Sequence, residues 1–474
     1  MLRKSLLPAL LLTGARLAIA QDSTIPELPP LVGDEAGIVD SVNPPAIPPA
    51  GQPAIPQWLC ETTPALPPAS PFAGPFLERP KLTGNWLGTR DQLAQQGIAI
   101  DVYSTQFYQG VTSGGINEEF DYAGRFDYLV NVDGEKAGLM KGSFFTLHGE
   151  TRYGNTINFD TGAIMPANVG MLFPRPTGTV TALTGVKYTQ FLSENLAVFG
   201  GKMNLLDELK QPYATGRGFD AFLNTGLALP IVVARTAPYS TLGAGFAVLE
   251  NFEPVFTFMM MDTNNTPTTS GFESFFTNGV TFLSMINRPV EIFGLPGHQG
   301  IGGTYSTGTY SDLNPTPYYN PGVGFGIATG TIQGSWSMFY MADQALYVDP
   351  NNSKRSWGLF GNLGLADNGP SPVQWSGYVG LGGSSPMVSR QLDTFGVGYF
   401  YVGYSDPVQT LAPKLLPVGN DQGVEMFYNV AVTPWFRLTP DLQILGPARE
   451  RTLPPNVRDI DTAVVFGLRA KIDF

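Results

Sequence analysis

The chain closes on Thr462-Ala-Val-Val-Phe-Gly-Leu-Arg-Ala-Lys-Ile-Asp-Phe474, and the alternation within this stretch decides the fold class. Val464, Phe466, Leu468, Ala470 and Ile472 form one apolar row leading to Phe474, while Arg469, Lys471 and Asp473 fall on the other side. A period of two is the signature of a strand, whose successive side chains point to opposite faces. An apolar row that ends on an aromatic suits the last strand of a closed transmembrane barrel, with its ring at the membrane edge. A secreted sandwich or β-helix also alternates, but it has little reason to finish on an exposed phenylalanine. The reading is a barrel.

Working outward from this segment, the same period recurs. In 124–133, Phe126, Tyr128, Val130 and Val132 alternate with Arg125, Asp127, Asn131 and Asp133, with Leu129 as the exception on the polar side. Trp357, Leu359, Leu363 and Leu365 share one side of 357–366. Val373, Trp375, Val379 and Leu381 share a side of 373–382 opposite Gln374 and Ser376, and Phe395, Val397, Tyr399 and Tyr401 share one in 393–404. Runs of about ten residues match a tilted membrane strand. Ser193-Glu194-Asn195 and Thr433-Pro434 read as tight connections, whereas 264–271 and 351–354 are more polar and read as extracellular loops. At roughly 22–24 residues per strand with its connection, 98–474 accommodates about 16 strands, a size that leaves an aqueous channel. An even count puts both termini on one side, expected to be the periplasm.

Composition agrees with this reading. Only 14% of the 474 residues are charged, against about a quarter in soluble proteins. Gly (56), Phe (31) and Tyr (19) are abundant, and the mean hydropathy of +0.01 is what alternating lipid-facing and water-facing positions average to. The net charge of −12 argues against a nucleic-acid partner. Cys60, the single cysteine, cannot form an internal disulfide, and no Cys/His spacing suggests a metal.

Arg3 and Lys4, the apolar stretch 6–12 and the small residues Ala18 and Ala20 mark residues 1–20 as a secretory signal. No later apolar run approaches the ~18 residues a membrane helix needs, so a membrane-spanning form must be a barrel. Residues 21–80 are proline-rich (Pro29-Pro30, Pro44-Pro45, Pro48-Pro49, Pro67-Pro68) and read as a disordered periplasmic linker, because proline supplies neither ladder donors nor helix interiors. Residues 81–97 hold a short helix, with Thr89 as cap, Leu93 and Ala94 inward and Gly97 as stop. The barrel is expected over 98–474.

Several segments resemble the carbohydrate-selective (OprB) porin family, in order and over most of 82–474. They are Gly84-Asn85-Trp86-Leu87-Gly88-Thr89-Arg90 with Leu93 and Gly97-Ile98, then Phe199-Gly200-Gly201-Lys202 after the Ser193 hairpin. Gly358-Leu359-Phe360-Gly361 with Leu365-Ala366-Asp367 follows, then Pro434-Trp435, Pro440-Asp441-Leu442-Gln443 and Gly467-Leu468-Arg469. The resemblance implies a 16-stranded channel favouring neutral sugars; the long proline tract departs from the simplest members.

No catalytic, cofactor or metal site is expected. His148 shares a polar, inward face with Thr146, Glu150 and Arg152, and His298 falls near a strand start. Gly200-Gly201-Lys202 lacks the rest of a phosphate loop, and Gly243-Ala244-Gly245 has no third glycine at dinucleotide spacing. The working chemistry is that of the lumen. Sugar hydroxyls both donate and accept, so charged and amide groups of mixed sign suit them, whereas a ring of one sign selects ions. Inward candidates are Arg125, Asp127, His148, Glu150 and Arg152, with Lys187 and Lys202 on neighbouring strands; Arg125, Glu150 and Arg152 are expected to border the constriction. The plainer reading is that each simply solvates the wall.

The expectation is an outer-membrane porin for passive, sugar-preferring diffusion. A general porin without a binding site is the alternative, then a structural or adhesive surface barrel. Expected partners are carbohydrate solutes, outer-membrane lipids and the barrel-assembly machinery, with the protein a monomer or homotrimer.

Overall fold

The computed structural model describes residues 70–208, 211–214, 218–320, 324–410, 417–453 and 455–474. Among them sixteen antiparallel strands close into a single barrel in which each pairs with its chain neighbour and the last returns to the first. The first half comprises β1 (Ile98–Ser113), β2 (Phe120–Asp133), β3 (Ser143–Gly154), β4 (Val180–Ser193), β5 (Leu196–Asn204), β6 (Ser240–Glu250), β7 (Glu253–Asp262) and β8 (Val280–Ile292). The second comprises β9 (Leu295–Asn320), β10 (Gly324–Asp349), β11 (Asn352–Ala366), β12 (Val373–Ser384), β13 (Thr394–Tyr404), β14 (Asp421–Thr433), β15 (Phe436–Gly446) and β16 (Ala463–Asp473). The seam pairs β1 with β16 from Tyr103↔Asp473 to Gly110↔Phe466. No edge is left unpaired, which is what a sheet crossing hydrocarbon requires.

The deciding segment behaves as read. Phe466 is 46% exposed on the outer face while its neighbour Val465 is fully buried within. Leu359, Leu363, Val379, Val397, Tyr399 and Tyr128 are likewise exposed outward. Two local readings are corrected. Val373 does not share the outer face of Trp375: a register shift between them turns Val373 into the interior, where it is buried. Residues 351–354 are not an extracellular loop either. Succession of antiparallel strands places the β10–β11 turn at the same end as the tight 194–195 and 434–435 turns, and Asn352 already belongs to β11. Their polarity serves the turn itself, Asn351 donating its backbone N–H to Asp349 at 2.9 Å.

The chain enters β1 through a helix, α1 (Thr89–Gln95), that differs in detail from expectation. Its cap is Gly88 in the left-handed region rather than Thr89, and its buried residue is Arg90 rather than Leu93 or Ala94. Arg90 donates to the main-chain oxygens of Gly84 and Phe474, each at 2.9 Å, with its guanidinium over the Trp86 ring at 4.1 Å. Gly97 does stop the helix: its φ is +80°, and a Cβ would stand 2.6 Å from the Asp133 carbonyl oxygen. The signal and most of the proline-rich tract lie outside the described residues. Residues 70–80, grouped with that tract by composition, instead sit against the barrel, where Trp435 donates to the Phe76 carbonyl and the two rings pack 5.0 Å apart.

The interior is not simply water. The described residues of two long connections, 155–179 between β3 and β4 and 205–239 between β5 and β6, fold inward. The second carries the short helix α2 (Thr225–Ala228) and a 3-10 turn at Ile231–Arg235. Val169, Leu172, Phe222, Leu227, Val232 and Val233 from these connections join one buried cluster with Met259, Met261, Leu283, Met285, Phe339 and Phe360 of the wall. Burial of each large apolar side chain contributes roughly 1.5–3 kcal/mol. Glycines on β13 make room for this insertion: a Cβ on Gly396 would meet Phe222 at 2.8 Å, and one on Gly398 would meet Leu227 at 2.7 Å.

Candidate functional site: the charged lumen

One half of the inner wall is charged, and its side chains hold the two inserted connections. Neighbouring register brings Asp127 of β2 opposite Glu150 of β3, and Arg125 opposite Arg152. Arg125 makes a forked contact with Asp127, Nε at 3.0 Å and Nη2 at 2.6 Å, and also donates to Glu150. Its remaining arm reaches the Gly170 carbonyl of the first connection at 2.8 Å, and the Phe219 ring of the second lies 4.7 Å away. A guanidinium is suited to this, with five donors in a planar fork.

His148 lies between two carboxylates, Nε2 3.1 Å from Asp127 and Nδ1 2.7 Å from Asp207. Tyr239 donates to Glu150, and its ring stacks on Phe173 at 4.0 Å. Burial and the adjacent Glu150 carboxylate push the Tyr239 phenol well above its usual range, so it remains a donor. Asp127, His148 and Glu150 converge closely enough to suggest a cation site. The Arg125 guanidinium already supplies the positive charge there. The cluster reads as an ionic lock.

The other expected residues also hold connections. Arg152 donates to the carbonyls of Gly178 (3.1 Å) and Pro176 (3.0 Å), and Lys187 pairs with Glu208. Lys202 departs from expectation. It pairs in register with Val186, which is exposed on the outer face, and with Leu242, so it does not point into the lumen. Its ammonium instead donates to Thr269 (2.6 Å) and Leu183 (2.8 Å) carbonyls, tethering the β7–β8 connection over the outside of the wall. His298 is the fourth residue of β9, and its Nδ1 stands 3.0 Å from Asp343.

A second set on β14 to β16, across β1 from the first, was not singled out from the sequence. Glu425 accepts the backbone N–H groups of Leu223 (2.6 Å) and Asn224 (2.7 Å). Asp421 accepts those of Ile164 (2.8 Å), Met165 (2.7 Å) and Ala448 (2.5 Å), and the Tyr404 hydroxyl at 2.7 Å. Arg469 donates to the Gly218 and Ala221 carbonyls at 2.9 and 2.7 Å. The signal was present: Val424, Met426 and Tyr428 alternate with Asp421, Glu425 and Asn429 along β14.

Lower in the lumen, Asp220 of the second connection bridges Lys471 (2.7 Å) and Arg437 (2.8 Å). Burial works to raise this carboxyl, but the two cations outweigh it and hold Asp220 well below the usual carboxylate range. An acid depressed in the folded state stabilises above its unfolded pKa, about 3.9, and that stability is lost as pH falls towards the folded value. The stability difference between wild type and Asp220→Asn, read from urea unfolding in vesicles, is therefore expected to shrink as pH drops below about 3.9. A difference constant from neutral pH into that acid range would refute the pairing.

A closed barrel with an apolar outer band and a charged interior narrowed by inserted connections is the architecture of a porin. The sequence model described as "Carbohydrate-selective porin, OprB family" matches residues 117–474. Porin B of Pseudomonas aeruginosa is 26% identical over 199 residues, covering 38% of this chain and 42% of that protein, so the match spans less than half of the relative. A high-pH structure of Pseudomonas putida OprB superposes with a TM-score of 0.70 at 20% identity, covering 85% of this chain and all of that one. A low-pH structure of the same protein gives 0.51 at 16% identity, over 84% and 99% of the two chains. The chain belongs to the carbohydrate-selective porin (OprB) family, and its fold is that of a Gram-negative outer-membrane protein.

Proposed function

We propose that this protein carries sugars by passive diffusion through the barrel, with the inserted connections 155–179 and 205–239 setting the narrowest part. The observation that carries this reading is the mixed-sign network that fastens those connections to the wall, within a chain of the carbohydrate-selective family. A network of both signs favours neutral solutes over ions of either charge. Arg125, Asp127, His148, Glu150, Arg152 and Lys187 act by fixing the shape of the passage rather than by touching the solute, since all are buried. The short-turn end, where β1 begins and β16 ends, faces the periplasm, and the longer connections face outward. The outer apolar band meets lipid, and assembly proceeds through the barrel machinery. The reading is that of a channel, not an enzyme.

Planar bilayers test this. Glucose and maltose are expected to reduce single-channel current saturably, and replacing Arg125, Glu150 and Arg152 together by alanine is expected to alter that block. Current insensitive to either sugar would favour a general diffusion porin instead.

A further inference from the structure

His298 belongs to neither of the charged sets that hold the inserted connections. It lies at the short-turn mouth, four residues into β9, opposite Asp343 of β10 and on the row that continues through the buried Thr304 and Ser306. Its Nδ1 stands 3.0 and 3.2 Å from the two Asp343 oxygens, and its Nε2 stands 3.8 Å from Glu253 Oε2, at the start of β7. Pro289 of β8, opposite His298 on the other side, brings no polar side chain. We propose that His298 and Glu253, with Asp343 behind the imidazole, form a binding site for a divalent transition metal such as Zn²⁺.

The geometry on the two sides of the ring differs in kind. Asp343 accepts from Nδ1–H, which fixes the tautomer and leaves the Nε2 lone pair directed at Glu253. A separation of 3.8 Å is too long for a hydrogen bond. Two ligands of one tetrahedral zinc stand about 3.4 Å apart, so the Glu253 carboxylate need move only about 0.4 Å to share an ion with Nε2. A carboxylate behind the imidazole is the arrangement that orients a metal-ligating histidine and raises its basicity.

Exposure is graded in the same sense. The Asp343 side chain is 8% exposed, that of His298 27% and that of Glu253 62%, so the orienting group is enclosed and the two ligands are open to solvent. Charge separates this cluster from the one around His148, where the Arg125 guanidinium supplies the positive charge. Among the described residues no lysine or arginine pairs with Glu253 or Asp343, and Arg288, next to Pro289, is engaged by Glu250 at 3.2 Å. Two carboxylates with a neutral imidazole carry two negative charges, which one divalent ion balances. The imidazole nitrogen selects Zn²⁺ and its neighbours over Ca²⁺ and Mg²⁺, which prefer oxygen ligands alone.

The test is calorimetric titration of the full chain, purified in detergent without a histidine tag, with zinc chloride as probe. One saturable site is expected, and a large excess of Mg²⁺ should leave it intact. His298→Gln should abolish it, and Asp343→Asn should weaken it about 10–100-fold by freeing the ring. Glu253→Gln changes only an exposed side chain at the rim and should weaken binding at least as much as Asp343→Asn, so the question stays decidable if His298→Gln fails to fold. Asp459→Asn, in the β15–β16 connection at the other end of the barrel, serves as the control with wild-type affinity. In planar bilayers under a KCl gradient, Zn²⁺ should shift the reversal potential of the wild type, but not of Glu253→Gln, towards anion preference. Zinc affinity unchanged in Glu253→Gln and Asp343→Asn, or displacement by Mg²⁺, would overturn the site and leave the channel reading untouched.

Discussion

Replacement of Arg125 by methionine is expected to destabilise the barrel by about 3–5 kcal/mol, the cost of leaving a buried charge without its partner. Arg125 faces both Asp127 and Glu150, and all three side chains are at most 2% exposed. Methionine fills much of the volume but supplies no charge, so two carboxylates remain in a place water scarcely reaches. The Gly170 carbonyl also loses its donor. Urea unfolding in lipid vesicles measures the loss. The further variant Arg125→Met with Asp127→Asn and Glu150→Gln removes the stranded charges and should recover most of it. Arg125→Lys keeps the charge but not the fork, and should fall between. A single methionine variant as stable as wild type would show that the network carries no weight.

The same network explains what alternation could and could not reveal. A period of two was legible in β2 and β16 because apolar outer residues alternate with charged inner ones, and in β11 and β13 because large outer residues alternate with inner positions that are often glycine. That contrast fails where the inside is packed with protein. Along β5, Ala197 and Phe199 belong to the inner side and pack together with Phe191, while Lys202 falls outside. Polarity there runs opposite to the rule for a water-filled pore, and the inward reading of Lys202 followed from applying that rule.

The phase error at Val373 has another cause, since the register shift beside it has no signature in side-chain type. Strand count and closure depended only on length and on the last strand, and both were legible. The lumen residues of β2 and β3 were found because charge on an alternating strand is conspicuous. Their partners Asp207 and Tyr239 lie on connections without periodicity, and only folding reveals which wall each one meets. Even so, Val169, Leu172, Phe222, Leu227 and Val232 made those connections more apolar than exposed loops need to be.

Asp421 and Glu425 lie four residues apart on one strand, yet each fastens a different connection, and this separates their contributions to the passage. Glu425 accepts the N–H groups of Leu223 and Asn224 in the 205–239 connection, and Asp421 accepts those of Ile164 and Met165 in 155–179. Glu425→Leu leaves two buried donors unpaired at about 1–3 kcal/mol each. The connection can relieve that cost only by moving off the wall. Single-channel conductance is therefore expected to rise and sugar block to weaken. Asp421→Leu should act in the same direction on the first connection, but also frees Ala448 and Tyr404 from their shared acceptor, so its stability loss should be the larger. Its effect on conductance should nevertheless be the smaller. Both connections carry a run of buried residues, but the one in 205–239, from Phe222 to Val233 and clustered with Phe360 and Phe400, is longer than that from Met165 to Pro174, and on that ground it is expected to fill more of the cross-section. Conductance that rises more in Asp421→Leu than in Glu425→Leu would assign the narrowing to 155–179 instead.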